Sequence, residues 1–282
     1  KAIRRQRQMC IRDRFLGDIP QYSGEKQQGS FVVRENGRDP VSEAFRMIRS
    51  NMNFMNLGKS EIKVIMVTSS NPHAGKTFVS PNLAMTFATT GKKVVIMDLD
   101  LRRRTFSKQM GHGGDTNGVS SYLSGSTGLQ AIIRKSKLSE NLDIIYAGIQ
   151  PPNPSEMLLS QRMEELIAEL KLHYDYIIID STPAMAVADA IITDRLADLS
   201  IYVVREGLLD RRQLPDIERL YREKKFHNMA IILNGASSTK RHGYGYGYGY
   251  GYGYGLDEEE TTTKKGFWGK LCEWTRNKFQ KK

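Results

Sequence analysis

The chain has 282 residues, 39% of them hydrophobic, which suits one α/β domain of ordinary size with appended segments. Its two cysteines, Cys10 and Cys272, lie at opposite ends with no partner at metal-ligand spacing, which excludes a disulfide scaffold and a zinc site and fits a reducing, cytoplasmic setting. No run approaches the ~20 apolar residues of a membrane span and no signal-peptide pattern is present, so the chain is expected to be soluble, with a net charge of +11.

That charge is unevenly spread. Six basic residues between Lys1 and Arg14 face only Asp13. Met9-Cys10-Ile11-Arg12-Asp13, however, resembles the translation of a common sequencing adaptor, so residues 1–14 are set apart as a suspect segment on which no function should rest. Residues 15–58 come next, with Phe15-Leu16-Gly17-Asp18-Ile19-Pro20 followed by Glu43-Ala44-Phe45-Arg46-Met47-Ile48-Arg49. The spacing of three puts Glu43, Arg46 and Arg49 along one side of a helix, and by itself an ordinary solvated face would explain it.

From about residue 59 to 236 strands alternate with helices. Short continuous apolar runs at 62–68, 93–98, 142–147, 176–180, 199–205 and 229–234 predict strands buried on both faces. Residues 77–89, 160–174 and 209–223 have the length and spacing of crossover helices, so the expected fold is a mostly parallel α/β sheet with helices on both faces. The first strand runs into Ser69-Ser70-Asn71-Pro72-His73-Ala74-Gly75-Lys76-Thr77 and then a helix. This order predicts a phosphate-binding loop: backbone N–H groups wrap phosphate oxygens at a helix N-terminus, a lysine reaches the β/γ-phosphates and a hydroxyl meets Mg2+. Residues from Asn71 through Pro72, His73, Ala74, Gly75, Lys76 and Thr77 to Phe78 are the expected nucleotide-binding stretch, although Ser70 stands where the usual first glycine would be.

Two further strands end on acids, one at Asp98-Leu99-Asp100-Leu101-Arg102 and the other at Asp180. Carboxylates at the C-terminal ends of parallel strands lie where ligands bind in such sheets. Each aspartate alone could serve a strand end or a helix cap. Together with Thr77 and the phosphates, one or two of Asp98, Asp100 and Asp180 could complete the hard-oxygen shell of Mg2+. Beyond the domain, Tyr244, Tyr246, Tyr248, Tyr250, Tyr252 and Tyr254 alternate with glycine, predicting a flexible tail over residues 237–255 that presents its phenols to solvent. Residues 256–282 begin with Asp257, Glu258, Glu259 and Glu260 and end in a basic stretch with Phe267, Trp268 and Trp274, which reads as a disordered or docking tail or as a membrane-interface segment.

With these marks in place, the chain resembles a bacterial tyrosine kinase of the capsular and exopolysaccharide biosynthesis type over about residues 15–255. Such kinases are similar to P-loop ATPases of the partitioning and septum-positioning group, which carry a signature lysine where this chain has Asn71. The resemblance implies a P-loop NTPase-like fold, ATP and Mg2+ as cofactors, and phosphorylation of tyrosine. It implies that Lys76 neutralises the β/γ-phosphates, that Gly75 lets the backbone approach them, and that Thr77, Asp98, Asp100 and Asp180 serve the metal. Asp98 is the candidate acceptor of the phenolic proton, and Arg102 stabilises phosphate charge or supports the aspartates. The six tail tyrosines become the phosphoacceptors. Glu43, Arg46 and Arg49 become the contacts of a ring of like subunits in which one tail enters the neighbouring site. A transmembrane chain-length or export component, in the same chain or another, and a phosphotyrosine phosphatase are the implied partners; nucleic acid is not expected. The Phe15–Pro20 segment resembles a juxtamembrane stretch, which raises the expectation of a cytoplasmic fragment of a larger inner-membrane protein.

Three departures from the family pattern bear on the loop and its neighbours. His73-Ala74 replaces the more usual Gly-Glu, Pro81 lies inside the following helix, where it removes a hydrogen bond, and Ala184 stands where a second proline often follows Asp180. Two rival readings are a nucleotide-switched assembly ATPase of the partitioning type, with the Gly/Tyr tail as an interaction segment, and a degenerate nucleotide-binding subunit. Asn71 and the tail favour the kinase over the first, and retention of Lys76, Thr77, Asp98, Asp100 and Asp180 favours it over the second.

Overall fold

The computed structural model describes residues 14–24, 28–55 and 61–237. The tail tyrosines, the acidic and basic-aromatic segments and residues 1–13 of the suspect stretch 1–14 lie outside the described residues. The strands, in chain order, are β1 (Phe15–Pro20), β2 (Val64–Ser69), β3 (Val94–Asp98), β4 (Ile133–Lys135), β5 (Leu142–Ile145), β6 (Tyr176–Asp180), β7 (Leu199–Arg205) and β8 (Met229–Ala236). The helices are α1 (Pro40–Met55), α2 (Lys76–Ala88), α3 (Thr105–Gln109), α4 (Val119–Leu123), α5 (Leu129–Ile132), α6 (Pro154–Leu159), α7 (Gln161–His173), α8 (Asp189–Asp194) and α9 (Leu214–Arg222). All eight strands form one sheet in the order β1-β8-β7-β2-β6-β3-β5-β4, parallel except for the β4–β5 pair.

The central strands are mostly apolar, with their acids at the C-terminal ends, because both faces are covered. Ile65, Val67, Ile96 and Ile178 share a core with Phe45 and Ile48 of α1 and Val79 and Leu83 of α2. The intervening Val64, Met66, Val95 and Ile177 point to the other face and are equally buried. Helix α7, which contacts β6, buries Met163, Leu166, Ile167 and Leu170, a stripe with the 3.6-residue period of an amphipathic helix.

The six predicted strands are present within a few residues of their expected ends. Two more join them. Phe15–Pro20 pairs in parallel with β8, from Phe15↔Ile231 to Pro20↔Ala236, so this juxtamembrane-like segment is an edge strand of the sheet. Helix α9 starts later than expected because Pro215 occupies its first turn, where a missing N–H costs no bond. Pro81 is accommodated within a continuous α2. The next residue, Asn82, is buried and accepts from the N–H groups of Val32 and Val33 at 2.7 and 3.0 Å while its amide donates to the carbonyls of Ser30 and Phe78. All of its hydrogen-bonding capacity is used, which fixes the segment after β1 against the helix that begins at Lys76.

Candidate active site

Strand β2 ends at Ser69 and α2 begins at Lys76, so the loop between them delivers its backbone to a helix N-terminus at the C-terminal edge of the sheet. Two loop residues have left-handed backbone: His73 with φ 65° and Gly75, the N-cap, with φ 100°. Turns of this kind gather N–H groups on one side, and the helix dipole adds positive potential there. The N–H groups of Ala74, Gly75, Lys76 and Thr77 meet no acceptor among the described residues. Gly75 is required twice over, by its φ and because a Cβ there would overlap the side-chain amide of Asn234. The Asn234 amide also donates to the Ala74 carbonyl at 2.9 Å.

His73 occupies its left-handed position with a Cβ, at a cost of roughly 1 kcal/mol. Because its side chain is exposed, His73→Gly is expected to raise the melting temperature by a few degrees at most and to leave or improve nucleotide affinity; differential scanning calorimetry with and without ATP would check both.

The acids converge from two adjacent strands. Asp98 and Asp180 are register partners at the ends of β3 and β6 and both are buried. Asp180 accepts from the Thr77 hydroxyl at 2.9 Å and from the Ser80 hydroxyl at 3.0 Å. Thr77 therefore keeps oxygen lone pairs for a cation. Asp98 accepts from the Ser107 N–H at 3.0 Å, the Ser107 hydroxyl at 2.6 Å and the Asp100 N–H at 3.1 Å. Asp100, also buried, accepts from the Arg103 N–H at 2.9 Å through one oxygen and leaves the other without a partner among the described residues. The buried Lys76 ammonium makes no hydrogen bond or ion pair to a described residue, and its charge opposes protonation of Asp180. Among the described residues no three His, Cys, Asp or Glu side chains stand close enough to hold a metal by themselves. The hydroxyl and carboxylate oxygens nevertheless suit Mg2+, whose shell would include phosphate oxygens and water besides one or two carboxylates.

Burial, followed by the charge of Asp180, pushes the Asp98 carboxyl up to about 7; burial pushes Asp180 up to about 6 despite Lys76. Both acids hold a proton more tightly folded than unfolded, where aspartate ionises near about 3.9. Their contribution is complete below that value and is lost as pH rises through about 6 and 7. The nucleotide-free protein should consequently lose melting temperature between about pH 4 and 7, and Asp98→Asn should flatten that slope.

Other predicted residues have different surroundings. Arg102 donates through Nε to Asp189 at 2.7 Å and through a terminal nitrogen to Asp189 at 3.2 Å and Ser155 at 2.9 Å, rather than to Asp98 or Asp100. Burial opposes ionisation of Asp189, but the Arg102 and Ser155 hydrogen bonds hold its carboxyl below the ordinary value. The Phe78 ring lies between Tyr22 and Phe45, 6.3 Å from each centroid, so only its backbone belongs with the loop. Asn71 donates to Gln213 at 3.1 Å and Pro72 completes the turn beside it. On α1, Glu43 pairs with Arg46, which also donates to the Gly37 carbonyl; Arg49 donates to the Thr86 carbonyl of α2 at 2.7 Å. Asp189, Ser155, Ser107, Ser80 and Asn234 carry no signal in the sequence, because their roles arise from contacts between separate segments.

The chain and its fold are similar to known proteins. A family model described as an AAA domain matches residues 62–204. The chain is 34% identical over 221 residues to "Tyrosine-protein kinase YwqD" of Bacillus subtilis (strain 168), covering 78% of this chain and 92% of that protein. It is 34% identical over 205 residues to "Tyrosine-protein kinase etk" of Escherichia coli (strain K12), covering 73% of this chain but 28% of that much longer protein. The solved kinase domain of the Escherichia coli tyrosine kinase ETK superposes with a TM-score of 0.68 at 31% identity, covering 84% of this chain and 94% of that one.

Proposed function

The chain belongs to the bacterial tyrosine-protein kinase family, and from that premise we propose that it is an ATP-dependent autokinase whose acceptors are Tyr244, Tyr246, Tyr248, Tyr250, Tyr252 and Tyr254. The observation that carries the nucleotide site is the row of N–H groups from Ala74 to Thr77 and the Lys76 ammonium, none of which meets a partner among the described residues, beside the buried Asp98–Asp180 pair. Bound at this loop, the ATP phosphates would accept from those N–H groups and from Lys76. Thr77, Asp180 and Asp98 are the residues that would hold Mg2+, directly or through water, and the ion would neutralise charge on the β- and γ-phosphates. Phosphoryl transfer depends mainly on positioning and charge neutralisation, and a phenol with a pKa near 10 needs only modest help in losing its proton. Asp98, with its ionisation near neutrality, is the proposed acceptor of that proton. A phenol reaching it would take the place of the Ser107 hydroxyl. Asp100 supports this pair with the oxygen that has no partner among the described residues, and Arg102 braces the strand-end loop through Asp189.

Transfer is proposed to occur between subunits of a ring, with Glu43, Arg46 and Arg49 at the contact. Glu43 and Arg46 lie on the exposed side of α1; Arg49 would have to share or exchange its bond to Thr86. Each phosphate adds about −1.5 to −2 charge to a tail already followed by four acids. A phosphorylated tail would repel both itself and the ATP phosphates, and the ring would come apart. The cycle is proposed to act at the cytoplasmic face of the inner membrane, with a transmembrane polysaccharide chain-length or export component and a phosphatase, to control capsular or exopolysaccharide polymerisation. No helix among the described residues is long and apolar enough to cross a membrane.

A mixing experiment tests the proposal. Tail-deleted wild-type chain supplies the active site and a Lys76→Met chain with its tail intact supplies acceptors. ATP-dependent phosphotyrosine on the Lys76→Met chain is the expected result. An unphosphorylated Lys76→Met chain, beside intact wild type that phosphorylates its own tail when run alone, would contradict transfer between subunits.

A further inference from the structure

The row of N–H groups at the phosphate loop is useful only if its peptides stay turned the right way. In a trans peptide the carbonyl of one residue and the N–H of the next point in opposite directions. Whatever holds the Ala74 carbonyl therefore also aims the Gly75 N–H, and whatever holds the His73 carbonyl aims the Ala74 N–H. Both carbonyls are held from the β7–β8 side of the sheet. Asn234, on β8 and 6% exposed, donates its amide to the Ala74 carbonyl at 2.9 Å. Arg205, the last residue of β7, donates to the His73 carbonyl at 3.2 Å. These two residues are themselves register partners across β7 and β8.

From this geometry we infer that Asn234, supported by Arg205, is a positioning residue for phosphoryl transfer: it fixes the Ala74–Gly75 peptide with its N–H toward the nucleotide phosphates. The inference rests on the proposed binding of ATP at this loop. The Asn234 backbone contributes to β8, and its carbonyl accepts from the Glu206 N–H at 3.0 Å, so the strand is secured independently of the side-chain amide. The side chain, in contrast, spends its donor on the loop. Steric contact adds to the bond, since the amide fills the space a Cβ on Gly75 would require. Left without that donor, the Ala74 carbonyl gains by rotating toward water or a cation, and rotation withdraws the Gly75 N–H from the phosphates.

The test compares wild type, Asn234→Ala, Arg205→Met and Arg205→Lys in full-length protein. ATP affinity is measured by titration calorimetry, and KM is measured for ATP and, separately, for a tyrosine acceptor peptide at saturating ATP. Asn234→Ala should weaken ATP by about ten- to a hundredfold, the effect of losing one buried hydrogen-bond partner. The acceptor KM should stay within about twofold of wild type, which general damage to the domain would not allow. Arg205 is exposed, so its replacements keep the fold and provide the second arm. Arg205→Met should weaken ATP about three- to fivefold and Arg205→Lys, which retains a donor, should restore most of that. Wild type that binds ATP alongside Asn234→Ala and Arg205→Met that bind it equally well would overturn the inference alone. Equal losses for ATP and the acceptor would also overturn it. Wild type that does not bind ATP would overturn the underlying nucleotide reading as well.

Discussion

Replacing Lys76 by methionine should reduce autophosphorylation by about a thousandfold or more, because the only cation buried among the described residues at the phosphate loop is removed from the place where charge is transferred. The fold should survive. The ammonium makes no hydrogen bond or ion pair to a described residue, and methionine fills a similar unbranched volume. Its removal has a second consequence, since Lys76 is the leading influence that keeps Asp180 from holding its proton still more tightly. In Lys76→Met the Asp98–Asp180 pair should therefore stay protonated to higher pH. The measurements are phosphate incorporation from ATP and the melting temperature without nucleotide, the first expected to collapse and the second to stay within a few degrees. A variant that keeps substantial phosphotyrosine while remaining folded would show that charge neutralisation at this loop comes from elsewhere.

Gly75→Ala should have an effect of comparable size by a different route. The added Cβ must be carried at φ 100°, where a side chain costs about 1–2 kcal/mol, and it must displace the Asn234 amide from its bond to the Ala74 carbonyl. The loop can relieve both only by giving up the conformation that exposes its N–H groups. ATP affinity is expected to fall by more than about a hundredfold, as the strain and the lost hydrogen bond combine. Combining Gly75→Ala with Asn234→Ala removes the overlap and leaves the left-handed strain. The double variant should then bind ATP better than the product of the two single losses implies, and a titration of the four proteins measures that coupling. Strictly additive losses would mean that the amide and Gly75 do not share this space.

Residue chemistry made some parts of this molecule legible in advance and not others. The six strands were readable because burial on both faces leaves runs such as Val64–Ser69 and Tyr176–Asp180 without polar interruptions until the strand end. The edge strand Phe15–Pro20 was not, since it contains a glycine, an aspartate and a proline and buries only Leu16 and Ile19. The three-residue β4 was too short to show any period. At the site, Lys76, Thr77, Asp98 and Asp180 could be found because each occupies a fixed offset from a strand end. The partners that orient them could not. Asn234 lies 160 positions from Ala74, and Asp189 lies 87 from Arg102, so neither pairing has a local signature. Arg102 illustrates the difference: its place after Asp98 and Asp100 suggests phosphate charge or support of those aspartates, whereas its guanidinium donates to Asp189 and Ser155. His73 is the converse case, an ordinary residue in sequence whose left-handed backbone emerges only with the loop.

The most direct test of the central claim is mass spectrometry of the purified chain after incubation with ATP and Mg2+, beside the tail-deleted form. Phosphate should accumulate on tyrosines 244–254 of the intact chain in the presence of ATP. ATP hydrolysis without phosphotyrosine, in protein shown to be assembled with any activator it requires, would contradict the autokinase account and point instead to a nucleotide-switched assembly protein.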